Sequence, residues 1–286
     1  VARERDAKRE IEMAQRPLAH ENAMITRREC VAPGFWCVGF RAPRIAGAVR
    51  AAQYVAIDQP GRFAVRLPLG IWTAEGDEIT VLFREWGERT AQLAHSDIGT
   101  AVDLIGPLGN DFTIPARGAR ATIVAGGLGV VPFWLLGKRL LAADVQTRVV
   151  LGARTAALLV GAAELRALGL NVELCTDDGT AGTRGSVLDA LDSEPPADIV
   201  YGCGPPNMLR ALSKRCVAAN MPCEISMEET FGCSMGTCWG CVVPVRRGAK
   251  QGSGYPKAHA ESRDFDYSRV CFDGTVYAAA DLVWSA

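Results

Sequence analysis

The sequence has almost no net charge, very little histidine and no long apolar run, and each shortage closes off a class of function. With 31 lysines and arginines against 32 aspartates and glutamates, the formal charge is -1. That balance argues against a nucleic-acid surface and against a polybasic membrane patch. No stretch approaches the roughly 20 uninterrupted apolar residues of a membrane-spanning helix. Only His20, His95 and His259 are present, scattered along the chain, and no nucleophile–base pair stands out. Chemistry on an organic substrate is therefore expected to happen elsewhere. Residues 1–22 begin with dense charge of both signs and lack the apolar core of a secretory signal. They read as a solvent-exposed helical extension.

What the sequence does have is an ordinary globular balance, 49% hydrophobic and 22% charged, over 286 residues. That length allows two compact domains and a small third module. Cysteine is abundant, with 10 residues, and four of them follow a metal-cluster spacing. A reduced, cytoplasmic setting fits them better than a disulfide framework. Cys30, Cys37, Cys175, Cys216 and Cys223 read as small buried hydrophobes; Cys203 is set apart by its glycine-rich surroundings.

Residues 23–115 read as short strands between turns, which suggests a small antiparallel barrel. Trp36–Phe40, Arg62–Arg66, Glu78–Phe83 and Ala101–Ile105 are the strand candidates, and Gly34, Gly61, Gly76 and Gly99 punctuate them. Residues 116–220 change texture. Continuous apolar runs at Ala121–Ala125, Arg148–Leu151, Asn171–Cys175 and Asp198–Tyr201 alternate with helical patterns at Phe133–Leu141 and Asn207–Asn220. Such alternation indicates a doubly wound parallel α/β domain. Residues 221–286 form a cysteine-rich tail, within which Arg246–Ser262 reads as an extended polar loop.

Two local patterns carry chemistry. Cys233-x4-Cys238-x2-Cys241, followed later by Cys271, has the plant-type spacing of a [2Fe–2S] cluster. Gly232, Gly236 and Gly240 beside the cysteines suit a loop whose N–H groups must point at sulfur. A structural zinc site fits the spacing less well, and buried free thiols are the remaining alternative. Gly126, Gly127 and Gly129 lie between a buried strand and a helix, where backbone N–H groups can receive a pyrophosphate. Tyr201-Gly-Cys203-Gly204-Pro205 ends another buried strand, and the two strand ends can line one crevice or be ordinary turns.

Taken together, the order of these pieces resembles the electron transfer subunits of type B, NAD-dependent dihydroorotate dehydrogenase, in the ferredoxin reductase superfamily. The resemblance is carried by Gly106-Pro-Leu-Gly-Asn-Asp-Phe112, Ala125–Pro132, Thr176-Asp-Asp178-Gly179 with Gly182 and Gly185, and Tyr201–Arg210. Glu228–Val242 and Tyr267–Tyr277 extend it, so that it spans nearly everything after residue 30. It implies an FAD-binding β-barrel at 23–115, an NAD(P)-binding α/β domain at 116–220 and a [2Fe–2S] module at 221–286. It implies that Gly126, Gly127, Gly129, Asp178, Gly204 and Pro205 bind NAD, or NADP, with Cys203 as the candidate catalytic side chain. It further implies a flavin-containing catalytic partner docking near the cluster. Related subunits serve NADH-dependent ferredoxin:NADP⁺ oxidoreductase and anaerobic sulfite reductase, and a regulatory relative without FAD is the contrasting class.

The flavin motifs depart from the family pattern. Arg-Pro-x-Ser reads here as Leu67-Pro68-Leu69-Gly70, with Arg66 one residue early. On a strand one step reverses the side chain. Gly-x-Gly-Thr reads as Gly87-Glu88-Arg89-Thr90. Arg66, Pro68, Leu69, Gly70, Gly87, Arg89 and Thr90 are the corresponding candidates for FAD.

Overall fold

In the computed structural model, residues 18–59, 64–193, 197–249 and 264–284 are described. The first unit is a closed six-stranded antiparallel barrel. It is built from β1 (Ala19–Ala32), β2 (Phe35–Arg41), β3 (Tyr54–Asp58), β4 (Leu67–Glu75), β5 (Glu78–Arg84) and β6 (Ala101–Leu108). Their order round the barrel is β1-β2-β5-β4-β3-β6. Alternation explains the inside: Ala19, Ala23 and Ile25 of β1 point inward between outward-facing residues such as His20, Asn22 and Met24, and Ile79, Val81 and Phe83 fill the centre from β5. Two short helices, α1 (Pro43–Ala48) and α2 (Glu88–His95), bridge barrel strands.

The second unit is a seven-stranded sheet. Its strands are β7 (Arg120–Gly126), β8 (Gln146–Ala153), β9 (Asn171–Thr176), β10 (Thr183–Arg184), β11 (Ile199–Cys203) and β12 (Cys223–Ser226). β13 (Val242–Arg246) and β14 (Phe265–Arg269) form a separate antiparallel pair, and β15 (Val276–Ala278) completes the large sheet. The order β10-β9-β8-β7-β11-β12-β15 is parallel except for β15. The chain moves outward from β7 to one side, then returns to the other through β11, so the order reverses beside β7. That reversal opens a crevice at the carboxyl ends of β7 and β11. Helix α3 (Phe133–Ala142) packs Phe133 and Leu136 into the core that continues into the barrel through Trp72. Helix α4 (Ala162–Ala167) covers β9, and α5 (Pro206–Ala218) buries Leu209, Leu212 and Cys216 over β11 and β12.

Four sequence expectations need correction. Ala19–Asn22, assigned to a helical extension, are strand: they pair with β6 from Ala19↔Gly106 onward, and residues 1–17 lie outside the described residues. The strand expected at Arg62–Arg66 begins instead at Leu67, residues 64–66 being a bend before it and 62–63 lying outside the described residues. The boundary at 220 cuts the sheet, because β12 and β15 of the tail add two strands to it. Arg246 of the expected loop ends β13, and residues 250–263 lie outside the described residues. Among the described residues no helix is long and apolar enough to cross a membrane.

Candidate functional site

At the reversal point, the ends of β7 and β11 approach too closely for side chains. A Cβ on Gly129 would stand 2.2 Å from the Cys203 carbonyl oxygen, and one on Gly126 would stand 2.6 Å from Pro205. Gly204 has φ +149 and would meet the Gly126 nitrogen at 2.9 Å. These glycines therefore serve chain-to-chain contact first. Gly127 differs: its φ is +56, and a Cβ there would meet nothing within 4 Å. Its open side faces a cavity of about 550 Å³ lined by Gly126, Gly127, Gly129, Gly204 and Pro205.

Two expected residues of this cavity lie elsewhere. Asp177 lines it, whereas Asp178 turns back to accept hydrogen bonds from Thr180 N and Oγ1 at 3.0 and 2.6 Å. The Thr180 donors hold the Asp178 carboxyl below its usual pKa. Cys203 is buried behind the lining, and burial pushes its thiol well above the ordinary range. It stays a protonated thiol, with Sγ 3.9 Å from Glu228 Oε1.

A second cavity, of about 410 Å³, lies between the barrel and the nucleotide-type turn. Pro68, Leu69, Gly70 and Ile71 of β4 form one wall, and Leu128, Val131 and Pro132 form another. Gly70 is needed for their closeness, since a Cβ would reach Val131 Cγ1 at 3.0 Å. Arg84, Leu128, Met227 and Glu228 line both cavities, so the two spaces meet at these four residues. The Glu228 side chain opens onto both, and the surrounding walls withdraw water and push its carboxyl pKa up.

The remaining flavin candidates are engaged within the fold. The Arg66 guanidinium binds Asp103 Oδ1 at 2.5 Å and approaches Asp58 at 4.0 Å. Burial works against the Asp103 carboxylate, but His20 and Arg66 hold its pKa down. Thr90 Oγ1 accepts hydrogen bonds from the Trp86 and Gly87 nitrogens at 2.9 and 3.0 Å, capping α2. The Arg89 carbonyl accepts from Gln59 Nε2 at 3.1 Å. Arg66, Gly87, Arg89 and Thr90 line neither cavity.

The four motif cysteines fall into two pairs. Cys233 Sγ receives N–H groups of Met235, Thr237 and Cys238 at 3.5, 3.3 and 3.4 Å. Burial disfavours its thiolate, but these donors and Cys238 outweigh it and hold the pKa down to about 6. Cys241 and Cys271 interact directly; hydrogen bonding from Cys271 brings Cys241 down to about 7 and raises Cys271 in turn. Positive φ at Ser234, Gly236 and Trp239 bends the loop around sulfur. Among the described residues, no three Cys, His, Asp or Glu side chains converge on one point as a lone metal ion requires.

The barrel cavity reaches this loop through Tyr54. Its hydroxyl donates to the Cys271 carbonyl at 2.9 Å and lies 3.2 Å from that of Ser234. Phe231, beside the loop, packs edge-on to Tyr54 at 5.1 Å, and both rings line the cavity. Asn110 fixes the same junction by bonding both N and O of Val276, at 2.6 and 2.9 Å.

An electron transfer subunit of dihydroorotate dehydrogenase B (NAD(+)) from Bacillus caldolyticus is 35% identical over 241 residues, covering 79% of this chain and 87% of that one. The chain belongs to this family. The subunit of the same name from Desulforamulus reducens is 29% identical over 89% of this chain and 94% of its own. No family model matches the chain. Among solved structures, an NADH-dependent reduced ferredoxin-NADP oxidoreductase superposes with a TM-score of 0.77, at 24% identity, over 92% of this chain and 90% of that one. The ferredoxin reductase of carbazole 1,9a-dioxygenase gives 0.62 at 18% identity, over 72% and 67%. Both share the barrel-plus-sheet fold. Sequence reading missed Tyr54, Arg84 and Glu228 as residues of these cavities. Only Glu228 had a signal, as the first residue of the matching cluster segment.

Proposed function

We propose that this chain is the electron transfer subunit of a dihydroorotate-oxidising enzyme, carrying electrons between a catalytic partner and NAD(H) by way of a [2Fe–2S] cluster and FAD. One observation carries the reading: the barrel cavity touches the nucleotide-type cavity on one side and the cysteine loop on the other. FAD, when bound, exchanges hydride with NAD(H) and single electrons with a cluster. This chain's residues supply the setting. Pro68–Ile71 and Leu128–Pro132 would hold the flat ring between apolar walls and exclude water, and Gly70 leaves the room for it. Gly127 leaves the open space for the nicotinamide dinucleotide. The Glu228 carboxyl, its pKa raised by burial, stands at the junction of the two cavities.

Cys233 with Cys238 would hold one iron, and Cys241 with Cys271 the other, since a [2Fe–2S] cluster takes thiolates two by two. The N–H groups aimed at Cys233 offset thiolate charge. The buried Ser234 Oγ, with no partner among the described residues, fits a group placed beside it. Around exposed Cys238, the half-exposed apolar side chains Met235 and Phe272 are the docking surface this reading assigns to the catalytic partner. None of the ten cysteines is in a disulfide, and the cytoplasm is the compartment this reading assigns. The test is reconstitution with a catalytic dihydroorotate dehydrogenase subunit. Dihydroorotate should reduce NAD⁺ only when this chain is present; no NAD⁺ reduction by a complex that retains flavin and cluster would refute the reading.

A further inference from the structure

We propose that Arg269 is a positioning residue: it aims the backbone N–H of Thr237 at the Cys233 sulfur and thereby sets the reduction potential of the cluster. The inference rests on the reading of the cysteine loop as a [2Fe–2S] site. Arg269 closes β14 opposite Val242, the first residue of β13, so it stands beside the chain that leaves Cys241. Val270 N donates to the Cys241 carbonyl at 3.0 Å and fixes that corner. From there the side chain crosses to the other half of the loop, where Nη1 donates to the Gly236 carbonyl at 2.9 Å. The Gly236 C=O and the Thr237 N–H belong to one planar trans peptide, in which the two groups point in opposite directions. That N–H donates to Cys233 Sγ at 3.3 Å. Holding the carbonyl therefore aims the N–H, and a charged donor on the oxygen polarises the whole unit toward sulfur.

The rest of the guanidinium is locked. Nε and Nη2 donate to Asp273 Oδ2 and Oδ1 at 3.1 and 3.2 Å, and the Asp273 side chain is fully buried. The ring centroids of Trp239 and Phe272 lie 4.7 and 4.5 Å from the guanidinium carbon. Trp239 stands between Cys238 and Cys241, and Phe272 follows Cys271. Phe272 also covers Gly236, where a Cβ would meet its ring at 2.7 Å. One side chain thus touches the chain between Cys233 and Cys238, between Cys238 and Cys241, and beside Cys271. A buried ion pair gains little stability over apolar packing, because desolvation offsets its attraction. What the fork adds is direction: two N–H groups on Asp273 keep a third fixed on Gly236. Asp273 also offsets the Arg269 charge at close range, so the effect on the cluster passes through the peptide rather than through net charge.

Reduction adds a negative charge to a cluster, and N–H groups on its sulfurs favour the reduced state. The test removes the ion pair as a unit: Arg269→Met combined with Asp273→Asn leaves the net charge beside the loop unchanged. The midpoint potential of the cluster is measured on the purified full chain by mediated redox titration followed with low-temperature EPR. It should become more negative, by up to about tenfold in the oxidised-to-reduced ratio or about 59 mV for one electron, and the EPR line shape should change with it. Arg269→Lys keeps the charge, but its ammonium is drawn to Asp273 and leaves Gly236 unheld, so its potential should fall as well. A wild-type potential and EPR spectrum in either variant overturns the proposal. A lowered Tm with a wild-type potential does the same, because Arg269 would then serve folding alone. If the double variant assembles no cluster, Arg269→Lys decides by the same measurement. A wild-type chain without iron and acid-labile sulfide would instead refute the cluster reading itself.

Discussion

Replacing Tyr54 with Phe isolates the link between the barrel cavity and the cysteine loop. The substitution keeps the ring against Phe231 and removes only the hydroxyl, which donates to the Cys271 carbonyl at 2.9 Å. Tyr54 is buried, and burial pushes its pKa up, so the hydroxyl keeps its proton as a donor. Removing it leaves buried carbonyls without their donor, which costs about 1–3 kcal/mol. For a chain of this size that lowers Tm by on the order of 5 °C. The loop loses its tie to β3, so the cluster should also be lost faster on challenge with a chelator. Thermal unfolding followed by circular dichroism gives the first quantity, and iron release to bathophenanthroline gives the second. A Tyr54→Phe protein with wild-type Tm and wild-type iron release would refute the argument that this hydroxyl ties the two sites together.

Cys238→Ser should strip the protein of iron and acid-labile sulfide while leaving flavin absorbance in place; full iron content would remove Cys238 from the ligand set. Gly127→Val places a branched side chain at φ +56 and into the nucleotide-type cavity, so NADH affinity should fall by about tenfold or more by calorimetry. Wild-type affinity would place the dinucleotide elsewhere. Because the folded state raises the Glu228 pKa above 4.5, folded protein binds the extra proton and loses stability as pH rises from 4.5 through that raised value. Urea midpoints measured across this range should fall less steeply in Glu228→Gln; identical slopes would show that Glu228 does not titrate abnormally.

Local patterns were legible in the sequence, and long-range juxtapositions were not. The spacing of Cys233, Cys238, Cys241 and Cys271 reads directly because one loop holds three of them. The apolar runs at β7, β8 and β9 read as buried strands because both faces of a parallel sheet are covered. β1 was missed because a barrel strand buries one face only, and Arg27, Arg28 and Glu29 along its second half break the apolar alternation that marks a strand. β3 was missed because Tyr54–Ile57 is too short to show a period against its neighbours. Asp178 and Asp177 exchange roles because a tight turn reverses adjacent side chains, which a motif match cannot tell. Glycine was read as making room for a pyrophosphate; for Gly129 the crowding atom is the Cys203 carbonyl, which belongs to a strand some seventy residues on. Arg84, Glu228 and Tyr54 become site residues only when barrel, sheet and cysteine loop are brought together.

The central claim is that one chain connects NADH to a [2Fe–2S] cluster through a flavin in the barrel cavity. Anaerobic titration of the purified chain with NADH, followed by flavin absorbance and low-temperature EPR, tests it most directly. The account predicts about two irons and two sulfides per chain, bleaching of the flavin by NADH, and the EPR signal of a reduced [2Fe–2S] cluster in the same titration. Flavin and cluster both present, with NADH leaving the cluster oxidised, would contradict it.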